Sequence, residues 1–235
     1  MGIGRRAAHP KLHALCQMLL AYKMDFIENI QFVNIIEFLG TFAFAISGVR
    51  LASTKKFDWF GAFTIGFVTA IGGGTLRDLF IGVTPFWMLN HVYLWATLLA
   101  LLFVILFKAK VVRLHYTFFL FDSIGLGLFV VVGAEKTLAM GFASWVAVIM
   151  GTITGSFGGM LRDVLITEIP LIFRKEIYAL ACVIGGIFFT TGYMLNMNMI
   201  VNEILTASIV ILIRILAVKF HWHLPVLKEK KQIEL

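Results

Sequence analysis

The chain has 235 residues, 60% of them hydrophobic and 14% charged, with a mean hydropathy of +0.93. That much apolar surface excludes a soluble domain and points to an integral membrane protein whose first partner is the lipid bilayer. The formal net charge of +7 would suggest nucleic acid in a soluble chain; in a membrane chain it must first be divided between the two faces, and no nucleic-acid partner is expected.

The chain opens with MGIGRRAAHPKLHALCQMLLAYK, a charged start and a short apolar stretch without a clear small-residue cleavage site. It reads as a poorly ordered extension over residues 1–29 with Met24 as the functional beginning; a signal peptide or an amphipathic surface segment are the alternatives. A helix needs about 20 mostly apolar residues to cross the hydrocarbon core. Seven windows of that kind follow, at Val33–Ala52, Trp59–Leu76, Val92–Phe107, Phe118–Ala134, Phe142–Leu161, Ile177–Leu195 and Met199–Val218. The fold class is therefore all-α, an integral membrane bundle of seven transmembrane helices. Arg50, Lys55 and Lys56 follow the first window, Lys108, Lys110 and Arg113 the third, and Arg162, Arg174 and Lys175 the fifth, while Lys219, Lys228, Lys230 and Lys231 close the chain. All fall on one face, which places the carboxyl terminus in the cytoplasm and the amino terminus outside, against the sense of Arg5, Arg6, Lys11 and Lys23.

The strongest internal signal is a repeat. GGGTLRD at Gly72–Asp78 has a near copy in FGGMLRD at Phe157–Asp163. The displacement that carries Arg77 onto Arg162 also aligns, without a gap, Glu37 with Asp122, Thr69 with Thr154, Pro85 with Pro170 and Tyr93 with Tyr178. Each unit holds three spans, and an odd number inverts the second unit against the first. The organisation read from this is an extension (1–29), a first three-helix repeat (30–109), a second inverted one (115–195), a seventh helix (199–220) and a cytoplasmic tail (221–235). Folds of this 3+3 type place their site where glycine-interrupted segments of the two halves meet near the midplane.

Glycine costs about 1 kcal/mol relative to alanine in a helix interior. Gly72, Gly73 and Gly74, with Gly158 and Gly159, are expected to kink or open the second and fifth helices and to line a pathway with freed carbonyls, close helix packing being the alternative. Thr69, Thr154 and Ser47 would add hydroxyl oxygens. Charges within a span are functional by default, which singles out Arg77 with Asp78 and Arg162 with Asp163. Neighbours in sequence do not face each other on a helix, so each pair is expected to engage other helices or to lock freed backbone. Glu37 and Asp122 sit near predicted helix starts, where the macrodipole favours a carboxylate; pairing with the arginines or attraction of a cation are the alternatives. Arg214 is expected to snorkel to the cytoplasmic surface, and Trp87, Tyr93 and Trp95 to form an interfacial belt. His221 and His223 lack further donors for a metal, and Cys16 and Cys182 show neither disulfide nor metal spacing. No phosphate-binding loop and no set of nucleophile, base and orienter is present, so the sequence does not support an enzyme. No cofactor is expected.

GGGTLRD, GGMLRD and the closing RILAVKFHWHLP at Arg214–Pro225 resemble the prokaryotic trimeric intracellular cation (TRIC) channel family, also described as a glycine-transporter domain family. The resemblance covers about Ile30–Pro225. It implies a seven-helix protomer, a homotrimer with one pore inside each protomer, a bacterial inner-membrane location, and passage of monovalent cations, potassium chiefly and sodium besides. It also implies that the glycines of the second and fifth helices border the pore, although Phe157 replaces the first glycine of the triplet. Two other functions stay open: a carrier for a small amino acid such as glycine, and a membrane scaffold.

Overall fold

The computed structural model describes residues 10–107, 116–174 and 177–222, with side chains of the first helix described from Phe32 onward. The reading of residues 1–9, of Lys108, Lys110, Arg113 and Lys175, and of the tail from His223 lies outside these. Among the described residues the protein is all-helical: α1 (Pro10–Thr54), α2 (Trp59–Phe80), α3 (Phe86–Leu89), α4 (Val92–Leu106), α5 (Tyr116–Ala139), α6 (Ser144–Leu165), α7 (Ala179–Met194) and α8 (Met199–Lys219), with a 3-10 turn at Leu171–Phe173. Five spans are long and apolar enough to cross a membrane: Phe32–Thr54 within α1, α2, Thr117–Ala139 within α5, α6 and α8. The apolar helices α4 and α7 have 15 and 16 residues, short of the usual ~20.

Helix α1 runs back through most of the segment expected to be poorly ordered. Pro10 stands at its first position, where the missing N–H costs nothing and the fixed φ suits a helix. No further proline and no glycine interrupts the chain between Pro10 and Gly40. Helix α2 starts at Asp58, whose carboxylate accepts the N–H of Gly61 at 2.7 Å, and α8 starts at Asn198, which accepts from Val201 N–H at 3.2 Å. Such caps satisfy amides that have no partner inside the helix.

Helices α1, α2, α5 and α6 pack on one another to form the centre; α4 lies on α1 and α2, α7 on α5 and α6, and α8 on α5 and α7. Many details recur at equivalent positions of the two halves. The turn after α1 has Lys56 at φ 59°, that after α5 has Gly141 at φ 81°; after α2 comes Gly82 at φ 75°, after α6 Thr167 at φ 60°. Pro85 precedes the short helix α3 and Pro170 the 3-10 turn.

Neither α2 nor α6 opens at its glycines. Both remain helical through them, α2 to Phe80 and α6 to Leu165, past the Leu76 and Leu161 ends expected from sequence. The backbone carbonyls of these segments stay within the helix, so they are not the freed oxygens anticipated. The glycines serve close approach instead. A Cβ on Gly73 would overlap the carbonyl of Thr154, and a Cβ on Gly158 would overlap the carbonyl of Thr69. These two contacts are the same contact exchanged between the halves, and they bring α2 and α6 into backbone contact where they cross. Small residues permit that approach in membrane bundles.

Gly73→Ala and Gly158→Ala should therefore each push α2 from α6. The expected cost is about 1–3 kcal/mol, as for overpacking in general, read as a lowered thermal unfolding temperature of the purified protein in detergent. Unchanged stability in both variants would mean that the two helices do not touch there.

Candidate functional site

The charged residues singled out in sequence come together as two buried networks, one on each side of the α2–α6 crossing. In the first, Arg77 is fully buried. Its Nε donates to Asp78 Oδ1 at 2.8 Å, and its Nη2 stands 3.5 Å from Glu37 Oε1 of α1. Tyr93 of α4 donates its hydroxyl to Glu37 Oε2 at 2.6 Å. Asp78 Oδ2 accepts the N–H of Phe86 at 2.8 Å, which anchors the start of α3. Lys136, near the end of α5, places its ammonium 2.9 Å from Asp78 Oδ1.

The second network repeats this plan. Arg162, also fully buried, donates from Nε to Asp163 Oδ1 at 2.9 Å and from Nη1 to Asp122 of α5. Asp163 Oδ2 accepts the N–H of Leu171 at 3.0 Å and so starts the 3-10 turn. Ser47 of α1 accepts from Arg162 Nη1 at 2.7 Å and stands 3.4 Å from Asp122 Oδ1. Tyr178, the counterpart of Tyr93, is buried, and its hydroxyl has no hydrogen-bond partner among the described residues; nor has Asp122 Oδ2.

Several expectations are corrected here. Each arginine does bond its sequence neighbour, because a guanidinium on a three-carbon stem folds back along the helix even though adjacent Cβ atoms diverge. Glu37 and Asp122 do not act on a helix start. Glu37 lies deep inside α1, and both carboxylates neutralise arginines, where a buried charge would otherwise be prohibitive. Tyr93 belongs to the network rather than to an interfacial belt; Trp95 is exposed, and Trp87 donates its indole N–H to Thr75 Oγ1 at 3.0 Å. Arg214 does not snorkel outward. It is fully buried, donates to the Ile177 carbonyl at 3.0 Å and lies 4.7 Å and 4.9 Å from the ring centres of Tyr178 and Phe119. Arg77 and Arg162 lie inside helices and so leave the loop charge count.

The hydroxyls of Thr69 and Thr154 are engaged within the helix bundle. Thr69 and Thr154 are buried and donate to the carbonyls one turn back, Ile65 and Met150, both at 2.6 Å. Each packs where a Cβ on Gly48 or Gly133 would stand. Of the remaining glycines, Gly72 faces Leu161, Gly74 faces Phe86, and Gly159 faces the Tyr178 hydroxyl.

A cavity of about 260 Å³ lies over the first network, lined by Val33, Asn34, Glu37, Val132, Glu135, Lys136 and Ala139. One of about 230 Å³ lies at the second, lined by Leu51, Phe118, Asp163, Glu168, Leu171 and Arg174. At the mouth of the latter, Glu168 pairs with Lys55 at 2.6 Å and with Arg174 at 3.3 Å. The Lys55 ammonium holds the exposed Glu168 carboxyl below the usual carboxylate range. Any stability from this pair is present above that range and is lost as pH falls through the lowered value. No group of three or more metal-ligating side chains occurs among the described residues. Sequence reasoning gave no site role to Lys136, Glu135 or Tyr178. Their types and positions were in plain view, but nothing local marks which helices face one another.

Fold and site define a multi-span helical membrane protein whose centre is a duplicated, charge-compensated network between two cavities. The chain belongs to the glycine-transporter family, whose model matches residues 34–109 and again residues 119–194. It is 42% identical over 193 residues to a UPF0126 membrane protein of Vibrio cholerae, with 81% of each chain covered. To the UPF0126 inner membrane protein YadS of Escherichia coli K12 it is 38% identical over 193 residues, 81% of this chain and 93% of the other. Among solved structures it resembles a TRIC cation channel, at 34% identity and TM-score 0.77, covering 85% of this chain and 98% of that one. A TRIC trimeric intracellular cation channel orthologue from Rhodobacter sphaeroides is similar at 33% identity and TM-score 0.77, over 80% and 98%.

Removing one carboxylate leaves a buried arginine with a single carboxylate partner, Asp78 or Asp163. Glu37→Gln and Asp122→Asn are each expected to destabilise the fold by about 3–5 kcal/mol, and Tyr93→Phe by about 1–3 kcal/mol, measured by thermal unfolding in detergent. Equal stability of Glu37→Gln and the native protein would remove Arg77 from the ion pair.

Proposed function

We propose that the protein is a cation channel of the inner membrane, permeable to potassium and sodium, with a route inside each protomer of a homotrimer. The observation that carries this reading is the pair of cavities, each ending on a buried network that holds Asp78 or Asp163, on either side of the α2–α6 crossing. The channels it resembles at 33% and 34% identity over nearly their whole length support the same reading.

In this reading the seven longer helices all span the bilayer as a 3+3 inverted repeat over 30–109 and 115–195, with α8 appended. The family model's match to two successive stretches, 34–109 and 119–194, supports the repeat. The amino terminus lies outside and the carboxyl terminus in the cytoplasm, which puts the Glu37 cavity outside and the Glu168 cavity inside. A cation enters the outer cavity past Glu37, meets Asp78, passes the crossing at Gly72–Gly74 and Gly158–Gly159, and leaves past Asp122 and Asp163. Carboxylates favour cations along this line, while Arg77 and Arg162 keep the net charge low enough that a cation is not held too tightly to leave.

The structure represents a closed conformation in this reading, with the networks buried and the helices in contact. Lys136 stands at Asp78 as a tethered cation, so an entering ion must displace its ammonium. Ser47, Thr69 and Thr154 would reach the route only after α2 and α6 separate at the glycines.

A carrier for a small amino acid is the second reading, favoured by the family's description and by the likeness of two opposed cavities to alternating access. Reconstituted protein in planar bilayers and liposomes separates the two. Unitary potassium currents are expected; saturable glycine uptake without unitary currents would establish the carrier. Lys136→Gln should raise potassium flux several-fold by removing the competing ammonium, and an unchanged or smaller flux would take Lys136 off the route.

A further inference from the structure

The two cavities carry their cations at different depths. Over the first network Lys136 reaches the buried carboxylate itself, 2.9 Å from Asp78 Oδ1. At the second network the repeat register puts Leu51 in place of Lys136, and Leu51 lines the cavity there. The cations of this end stand further out, around Glu168. Glu168 and Arg174 also line the cavity, and their side chains are 40% and 41% exposed, whereas Asp163 beneath them is buried. Lys55 Nζ lies 2.6 Å from Glu168 Oε1 and Arg174 Nη2 lies 3.3 Å from Glu168 Oε2. Two cations thus hold one carboxylate at the mouth.

The chain path turns this cluster into a bridge. The segment from Glu168 to Arg174 is folded over the end of α6. Glu168 N–H donates to the Asp163 carbonyl at 2.9 Å, Leu171 N–H to Asp163 Oδ2 at 3.0 Å, and Arg174 Nε to the Ile169 carbonyl at 2.8 Å. These bonds make the segment move with α6. Lys55 comes from the other half, in the turn between α1 and α2, so any separation of the two units at this end breaks its bond to Glu168. In the repeat register the counterparts of Lys55, Glu168 and Arg174 are Met140, Val83 and Leu89. The bridge is therefore not reproduced at the first cavity.

We infer that Lys55, Glu168 and Arg174 form an electrostatic latch across the mouth of the Asp163 cavity, in which Lys55 ties the segment over α6 to the α1–α2 turn and its release opens the buried network to water. Arg174 holds Glu168 from within the same segment, so on release the carboxylate stays on the α6 side. An ion pair this exposed is weakened by salt and adds little to global stability. The latch can accordingly break without unfolding the bundle, and ionic strength at this face sets how often it does. Its effect on potassium flux rests on the channel reading; its control of access to the cavity does not.

Thiol labelling reads that access directly. Leu51→Cys places a reactive group in the cavity wall, in the full chain with Cys16→Ser and Cys182→Ala, reconstituted in liposomes and labelled with N-ethylmaleimide. At low ionic strength Glu168→Gln and Lys55→Gln should each raise the labelling rate several-fold, and Lys55→Arg should leave it unchanged. The two glutamine variants shift the local charge in opposite directions, so a rise in both reports the lost pair and not a change in thiol acidity. High salt should bring the rate of the unlatched variants and that of the parent together. Equal rates in all variants at low salt, or a rise in one glutamine variant alone, would overturn the latch. Potassium flux without the reporter cysteine is the second readout and should rise in both glutamine variants. Labelling that responds as stated while no variant passes potassium would sink the channel reading and leave the latch standing.

Discussion

Two guanidinium groups with no exposure to solvent set the terms for the rest of this molecule. An ion of that size carries a penalty of several kcal/mol when it leaves water, even after relaxation, and for Arg77 and Arg162 carboxylates offset it. Each finds one on its own helix and one on the first helix of a three-helix unit: Asp78 and Glu37, Asp163 and Asp122. Those pairings tie α2 to α1 and α6 to α5. The second oxygen of each aspartate then fixes where the chain restarts, at Phe86 and at Leu171. Charge compensation and chain path are thus one constraint.

The central crossing is held by contact of the opposite character. Glycine at 73 and 158 lets the backbone of one helix touch a threonine carbonyl of the other, a dry contact between the two polar networks. In a bilayer, where lipid competes equally well for apolar side chains, such backbone proximity is a main source of helix association. It carries no directional bond.

The two halves are not equivalent, and their differences lie at the networks and the cavities beside them. Ser47 bridges the second network, but its counterpart in the second half is Val132. Lys136 meets Asp78, while its counterpart near Asp163 is Leu51. Glu203 lies in α8, which the repeat does not include. One cavity holds Lys136 with Glu37 and Glu135, and the other an exposed cluster of Lys55, Glu168 and Arg174. A duplicated frame with distinct ends suits a protein that faces two compartments.

Hydropathy, the doubled GGxLRD pattern and the single register that relates the two halves were legible in the sequence because each is a local or translational property of the chain. They sufficed for a helical membrane fold, for the five windows that are helices long and apolar enough to cross a membrane, and for all the arginine and carboxylate residues of the networks. Whether a glycine bends a helix or admits a neighbour is not local. The same residue does either, and here Thr154 and Thr69 decide it from the opposite helix. Likewise Glu37 and Asp122 read as helix-start charges only while the helix ends were misplaced, and Arg214 reads as a surface cation only until Tyr178 and Phe119 are seen to cover it. The sequence by itself determined that arginines and carboxylates within the spans come in two matching sets; only the tertiary structure decided their partners and added Arg214 to the buried charges, because the energy of a buried charge depends on what lies across the helix interface and not on its neighbours along the chain.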